Sequence, residues 1–281
     1  MPDDRPSRIV LSRDGTPIAI FSSGEGPPLV LVHGASADHT TWRVAGPLLA
    51  REHRVHAIDR RGRGASGDGS LYDVEREFED VAGVAETIAA REGGPVPVVG
   101  HSFGGRVALG AALLTPSIDR LVVYEGAPAP PHEAYQPPGL IERIRSLLAA
   151  GDPDEALATF MREVVAMPGP DLAAYRADPI WPRRAAAAHT IVRELEAEAA
   201  QPSGLEALGT VTVPVLQILG GVSAPIFGSA ARALDERLAN GRIAVLAGQR
   251  HAAHHTDPEA FVGTVRGFLR PDAVGQDSEL G

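Results

Sequence analysis

The chain of 281 residues contains no cysteine. Disulfides, thiolate nucleophiles and cysteine-based metal sites are therefore excluded. Lysine is also absent, so all 26 basic residues are arginine. With the abundance of alanine, glycine and proline, this bias reflects a GC-rich coding sequence and not a function. Carboxylates outnumber the cations and give a net charge of −10. Such a chain repels phosphate backbones, so no nucleic-acid partner is expected. No uninterrupted apolar run is long enough to span a bilayer, and Met1-Pro2-Asp3-Asp4-Arg5 carries no apolar signal core. A soluble, cytoplasmic protein without a membrane partner is the expectation. The 44% hydrophobic content is that of a globular protein, and the length suits one large α/β domain with an inserted subdomain.

What is present is organised around Val98-Val99-Gly100-His101-Ser102-Phe103-Gly104-Gly105. An apolar, strand-like run (Pro95 to Val99) leads into Gly-x-Ser-x-Gly. A stretch of helix formers, Arg106 to Leu114, follows. In a chain with 31 glycines the pattern alone is weak, and a glycine-rich turn with a capping serine is the plain alternative. The strand before it and the helix after it supply the context of a nucleophile elbow. There Ser102 stands at the apex of a sharp turn. Side chains at Gly100 and Gly104 would collide with neighbouring backbone, and the helix points its first amides at a developing oxyanion.

Around this centre, short apolar strands alternate with helical patterns. Strands are expected at Arg8 to Leu11, Ile18 to Phe21, Leu29 to Val32, Val55 to Ile58, Leu121 to Tyr124, Val213 to Leu219 and Ile243 to Leu246. Helices are expected at Trp42 to Arg51, Asp73 to Ala90, Ser229 to Leu238 and Pro258 to Leu269. This predicts an α/β fold: a mostly parallel sheet of about eight strands with helices on both faces. Ligands in such sheets bind beyond the carboxyl ends of the strands. His33, Asp59, Ser102 and Glu125 all stand at such ends. The alternation breaks after Gly126. From Leu140 to about Ala200 there are helical patterns and no clear strand, which predicts a helical cap over 127–203, a core of 1–126 and 204–270, and a frayed tail at 271–281. Most apolar cap residues should dock the cap, and a few should shape a pocket at the serine. His189, Arg183 and Arg184 are expected on the cap surface.

Two competing readings are weighed. Arg60-Arg61-Gly62-Arg63-Gly64 is rich in arginine and glycine, but it lacks the Gly-Lys-[Ser/Thr] ending of a phosphate-binding P-loop. His251, His254 and His255 lie close together, but only Asp257 is near to complete a metal site, and no metal is expected.

The ordered motifs resemble the α/β-hydrolase family over nearly the whole chain. His33-Gly34 matches the turn after the family's third strand, and Gly100-His101-Ser102-Phe103-Gly104 matches its elbow. Gly248-Gln249-Arg250-His251, with Pro258 seven residues on, matches its C-terminal histidine loop. The resemblance implies an oxyanion hole from the backbone amides of Ala35 and Phe103. It implies His251 as general base, with His254 and His255 as loop residues. One departure concerns the acid. The strand ending at Leu219 is followed by Gly220-Gly221-Val222-Ser223-Ala224, without the usual Asp. Haloalkane dehalogenases and some other members place the acid one strand earlier, where this chain has Glu125. Asp59 and Asp257 are poorer candidates by position.

The implied activity is hydrolysis of an ester or lactone of a small to medium apolar substrate by Ser102, His251 and Glu125, through an acyl-enzyme and without a cofactor. A serine nucleophile argues against the dehalogenase and epoxide-hydrolase branches, which use aspartate. C–C bond hydrolysis stays open because the same residues can perform it; a non-hydrolytic lyase or cyclase and a ligand receptor without turnover stay open because the late Asp is missing, and fold does not choose among them.

Overall fold

β1 (Arg8–Leu11), β2 (Pro17–Ser23), β3 (Pro28–Val32), β4 (Arg54–Ile58), β5 (Val96–His101), β6 (Ile118–Tyr124), β7 (Val215–Gly220) and β8 (Gly241–Leu246) form one sheet in the order β1-β2-β4-β3-β5-β6-β7-β8. The structure is a computed structural model that describes residues 5–200 and 203–270; the expected tail at 271–281 lies outside them. Pairings β1–β2 and β2–β4 are antiparallel and all others are parallel.

Parallel neighbours need crossovers, and helices supply them on both faces. The helices are α1 (Ala45–Leu49), α2 (Val74–Glu92), α3 (Phe103–Ala112), α4 (Leu140–Ala149), α5 (Pro153–Glu163), α6 (Gly169–Ala177), α7 (Trp181–Ala186), α8 (Ile191–Glu198), α9 (Leu205–Leu208), α10 (Pro225–Asp235), α11 (Ala253–Thr256) and α12 (Pro258–Leu269). Alternate strand residues serve opposite faces. Val30, Val32, Val98 and Val123 pack with Phe78, Val81 and Val107 of α2 and α3. Leu29, Leu31, Val99 and Val122 pack with Leu49, Phe261 and Val265 of α1 and α12. Asp73 caps α2 by accepting from the Glu75 N–H, and Gly93 ends it at φ 81°.

Three local expectations are corrected. A helix from Trp42 would place Pro47 in its interior, against the Arg43 carbonyl. Instead a 3₁₀ turn at His39–Trp42 precedes α1, where Pro47 falls in the first turn. Helix α10 starts at Pro225, before the expected Ser229, because proline is pre-set for a first helical position. His254 and His255 lie in α11, not in a loop.

Between β6 and β7 the chain runs through α4 to α9, with no strand among the described residues. Buried charge ties this segment to the sheet. Arg60, Arg61 and Arg63 are almost wholly buried. Arg60 donates to Glu77 at 2.7 and 2.8 Å and to Glu194 of α8 at 2.6 Å. Arg63 reaches the same Glu194 oxygen, and Arg61 pairs with Asp80 at 2.7 Å. Burial opposes ionisation of Glu77, but Arg60 and Arg63 outweigh it and hold its carboxyl down at about 2. These guanidiniums are occupied by carboxylates and offer no cradle to phosphate. A second tie joins Arg183 and Arg184 to Asp38, with Arg184 Nη1 at 2.8 Å. Arg184 is thus buried, contrary to the expected surface position, while His189 is exposed. Among the described residues, no helix is long and apolar enough to cross a membrane.

Candidate active site

Ser102 sits between β5 and α3 at φ 53°, ψ −129°, a conformation costing about 1–3 kcal/mol for a non-glycine residue. Its surroundings enforce it. The Ser102 N–H donates to the Tyr124 carbonyl at 2.8 Å. A Cβ on Gly100 would stand 2.5 Å from the Gly104 carbonyl oxygen, and one on Gly104 would stand 2.2 Å from that of His33. Strand end and helix start cross at a separation only glycine permits. Of the five non-glycine residues with positive φ, Ser36, Ser102 and Glu125 stand at strand ends around this point. The strain is therefore concentrated at one edge of the sheet, as expected of a site that chemistry pins.

Glu125 follows β6 on the neighbouring strand, at φ 47°. Its side chain is fully buried. Oε1 accepts the Gly220 N–H at 2.7 Å, and Oε2 accepts from His251 Nδ1 at 2.6 Å. A carboxylate partner assigns the hydrogen to Nδ1 and leaves the Nε2 lone pair free. Gly220 lies where the late acid was expected from the family, and its amide now anchors the acid from the earlier strand.

The loop bearing His251 is pinned from below. His101 Nε2–H donates to the His251 carbonyl at 2.8 Å. The Tyr124 hydroxyl donates to the Arg250 carbonyl and accepts the Ala253 N–H at 2.9 Å. The His101 ring lies 4.6 Å from that of His251 and 4.4 Å from that of His254, and Phe227 packs on His251 at 4.8 Å. Burial pushes the imidazoles of His101 and His254 well below the ordinary value. Burial, aided by Arg43 and Arg184, pushes His255 down to about 4. His251 is thus backed by neutral rings.

Two cavities meet at Ser102 and His251. The outer one, of about 680 Å³, is walled by Met161, Val165, Met167 and Tyr175 of the helical segment. The inner one holds about 30 Å³, and Ala35, Phe103, Phe160, Leu195 and Phe227 line it together with the charged Arg106, Glu194 and Glu198. The N–H groups of Ala35 and Phe103 have no acceptor among the described residues. Among the described hydrogen bonds, none joins Ser102 Oγ to His251, although the two share both cavities. Such bonds are often long before substrate binds.

All five expected residues, Ser102, His251, Glu125, Ala35 and Phe103, thus border one cavity. Sequence reasoning missed His101 and Tyr124, which hold the histidine loop, and Arg106, which lies within the inner cavity. The last had a signal: it is the lone charge in Phe103–Ala112, a helix otherwise of small and apolar residues. Asp38, His39 and Asp59 also gather ligand atoms within 4.8 Å of one another. Arg183 and Arg184 already neutralise Asp38, and His39 and the Ala65 N–H occupy Asp59, so that cluster is a structural knot.

A family model described as alpha/beta hydrolase family matches residues 29–264. A pimeloyl-[acyl-carrier protein] methyl ester esterase from Photobacterium profundum is 26% identical over 270 residues, which cover 89% of this chain and 97% of that protein. The enzyme of the same name from Nitrosomonas europaea is 28% identical, covering 87% of this chain and 96% of its own. A solved alpha/beta hydrolase from Sphaerobacter thermophilus superposes with a TM-score of 0.80 at 34% identity, covering 94% of this chain and 100% of that one. An esterase from Rhodococcus superposes at 0.71 with 26% identity, covering 93% and 97%.

Proposed function

The chain belongs to the alpha/beta hydrolase family, and from that premise we propose that it is a serine hydrolase that cleaves a carboxylic ester or lactone through an acyl-enzyme. Full-length relatives named as esterases support action on esters. The observation that carries the finer reading is the 2.6 Å bond from His251 to a fully buried Glu125, beside a strained Ser102 on one shared cavity.

In this reading Ser102 Oγ attacks the ester carbonyl carbon while His251 Nε2 takes its proton. Glu125 stabilises the imidazolium and fixes its tautomer. The N–H groups of Ala35 and Phe103 hold the oxyanion. Collapse breaks the acyl–oxygen bond, and His251 returns the proton to the leaving alkoxide. Water, deprotonated by the same histidine, then releases the acid and restores Ser102. Residues 127–203 act as the cap that closes over the substrate, and the side of the outer cavity formed by Met161, Val165 and Met167 suits an apolar leaving group. The missing late Asp had kept the lyase or cyclase and receptor readings open; a carboxylate bonded to His251 supports the hydrolase over these, and relatives named as esterases support an ester over a C–C bond as its target. The test is a panel of acetate esters of alcohols of increasing chain length against the enzyme and its Ser102→Ala variant. Turnover that rises with alcohol hydrophobicity and vanishes in the variant is expected. Equal turnover by both proteins would overturn the assignment.

A further inference from the structure

Away from Ser102, Glu125 and His251, the inner cavity is apolar except at Arg106, Glu194 and Glu198. Arg106, one helical turn past Ser102 and about 6 Å along α3, is 3% exposed. One guanidinium nitrogen donates to the Ala127 carbonyl at 3.1 Å, but Nε has no partner. Glu194, 2% exposed, accepts from Arg60 and Arg63 on Oε1, while its Oε2 has no partner. Glu198 stands 3.9 Å from Arg106 Nη2, beyond hydrogen-bond length. Buried polar atoms are almost always paired, because each one left alone costs about 1–3 kcal/mol. An unpaired donor and an unpaired acceptor on two residues that line one small cavity beside a nucleophile call for a group that is both acceptor and donor.

From this we infer that the site selects a short acyl group bearing an uncharged hydrogen-bonding substituent, of which a hydroxyl is the simplest. The inference rests on the serine-hydrolase reading and names its substrate class. A hydroxyl accepts from Arg106 Nε–H and donates to a glutamate. An alkyl group leaves both unpaired. A carboxylate has no hydrogen to donate and meets two glutamates. The surroundings are balanced: Arg60, Arg63 and Arg106 face Glu77, Glu194 and Glu198, so a charged ligand would be left without a counter-ion. A volume of about 30 Å³ holds about two water-sized groups, which limits the chain. The acyl part belongs here, because it stays bound while the alcohol departs through the wider outer cavity. Phe103 and Tyr135, with ring centres 5.9 and 5.8 Å from the guanidinium carbon, hold Arg106 in place.

The test measures acid release from three methyl esters: 3-hydroxybutanoate, its isostere 3-methylbutanoate, and monomethyl succinate. The full chain is compared with Arg106→Met and Arg106→Lys, and each protein is first checked for Ser102 labelling by a fluorophosphonate and for its melting temperature. The unsubstituted enzyme should show kcat/KM at least about tenfold higher for the hydroxy ester than for its isostere, with the succinate poorest. Arg106→Met should erase that ratio while still labelling. Should it fail to fold, Arg106→Lys keeps the charge but loses the Nε–H, and it should erase the ratio as well. Labelling without a preference, or a preference that survives the loss of Arg106, would mean that the polar end holds only water and would overturn the inference alone. Absence of labelling in the unsubstituted enzyme would instead remove the serine-hydrolase reading beneath it.

Discussion

Two buried imidazole–carboxylate pairs stand at strand ends in this molecule, His251 with Glu125 at 2.6 Å and His39 with Asp59 at 2.8 Å. The shorter pair differs mainly in what its free nitrogen meets. Asp59 also accepts the N–H groups of His39 and Ala65, both at 2.7 Å, and His39 stacks on Phe21 at 3.5 Å with its Nε2 buried and unpartnered. His39 borders none of the cavities that contain Ser102, whereas His251 borders both. A carboxylate fixes an imidazole in either place; only where the ring also faces a nucleophile and a cavity does the pair become a candidate for chemistry. Sheet order makes the difference. β6, which ends at Glu125, pairs directly with the elbow strand β5, while β3 separates β4 from it.

That comparison can be broken experimentally. Ser102→Ala should have the largest effect, lowering kcat/KM on p-nitrophenyl butyrate by about 10⁴–10⁶ with an unchanged circular dichroism spectrum. Glu125→Gln should lower kcat by about 10²–10⁴. Asp59→Asn, the matching change in the other pair, should lower stability by about 1–3 kcal/mol in urea melts. Its folded fraction should keep near-normal kcat, and a kcat loss as large as that of Glu125→Gln would erase the proposed distinction.

Histidines behind the site sharpen it further. The folded-state pKa values of His101, His254 and His255 lie below the ordinary 6.5. The unfolded chain therefore binds more protons below that pH. Their contribution to stability is complete above about 6.5 and is lost as pH falls, for His255 down to about 4. Urea midpoints should drop between about pH 7.5 and pH 5, and His254→Phe should flatten the drop. A midpoint independent of pH over that range would contradict burial of neutral rings. His254→Ala should destabilise by about 2–5 kcal/mol, through lost packing. The mildest change is His255→Ala, with a rate loss of about fivefold or less, corresponding to about 1 kcal/mol.

The eight strands were legible because each is a short apolar run bounded by glycine, proline or charge. Ser102 and His251 were legible because their motifs carry backbone requirements that few other sequences meet. Glu125 was legible chiefly as an absence, from the missing acid after Leu219. What the sequence hid depends on long-range pairing. Nothing local shows that Arg60 and Arg63 are buried until Glu194, over 130 residues away, is brought against them. His254 read as a loop residue because nothing local shows that His101 and Phe261 close around it. Arg106 could be noticed as a charge on an apolar helix, but its unpaired nitrogen could not.

The central claim, a covalent intermediate on Ser102, is tested most directly by acid-quenching the enzyme during turnover of p-nitrophenyl acetate and mapping the peptides by mass. Glu125→Gln, examined in parallel, would tell whether the acid assists formation or breakdown of that species. One acetyl group on the peptide that carries Ser102, formed with a burst of about one p-nitrophenol per chain and absent from Ser102→Ala, is the predicted result. Steady turnover with no burst and no acetyl on that peptide, or acetyl on a different residue that turns over at the same rate, would contradict the account.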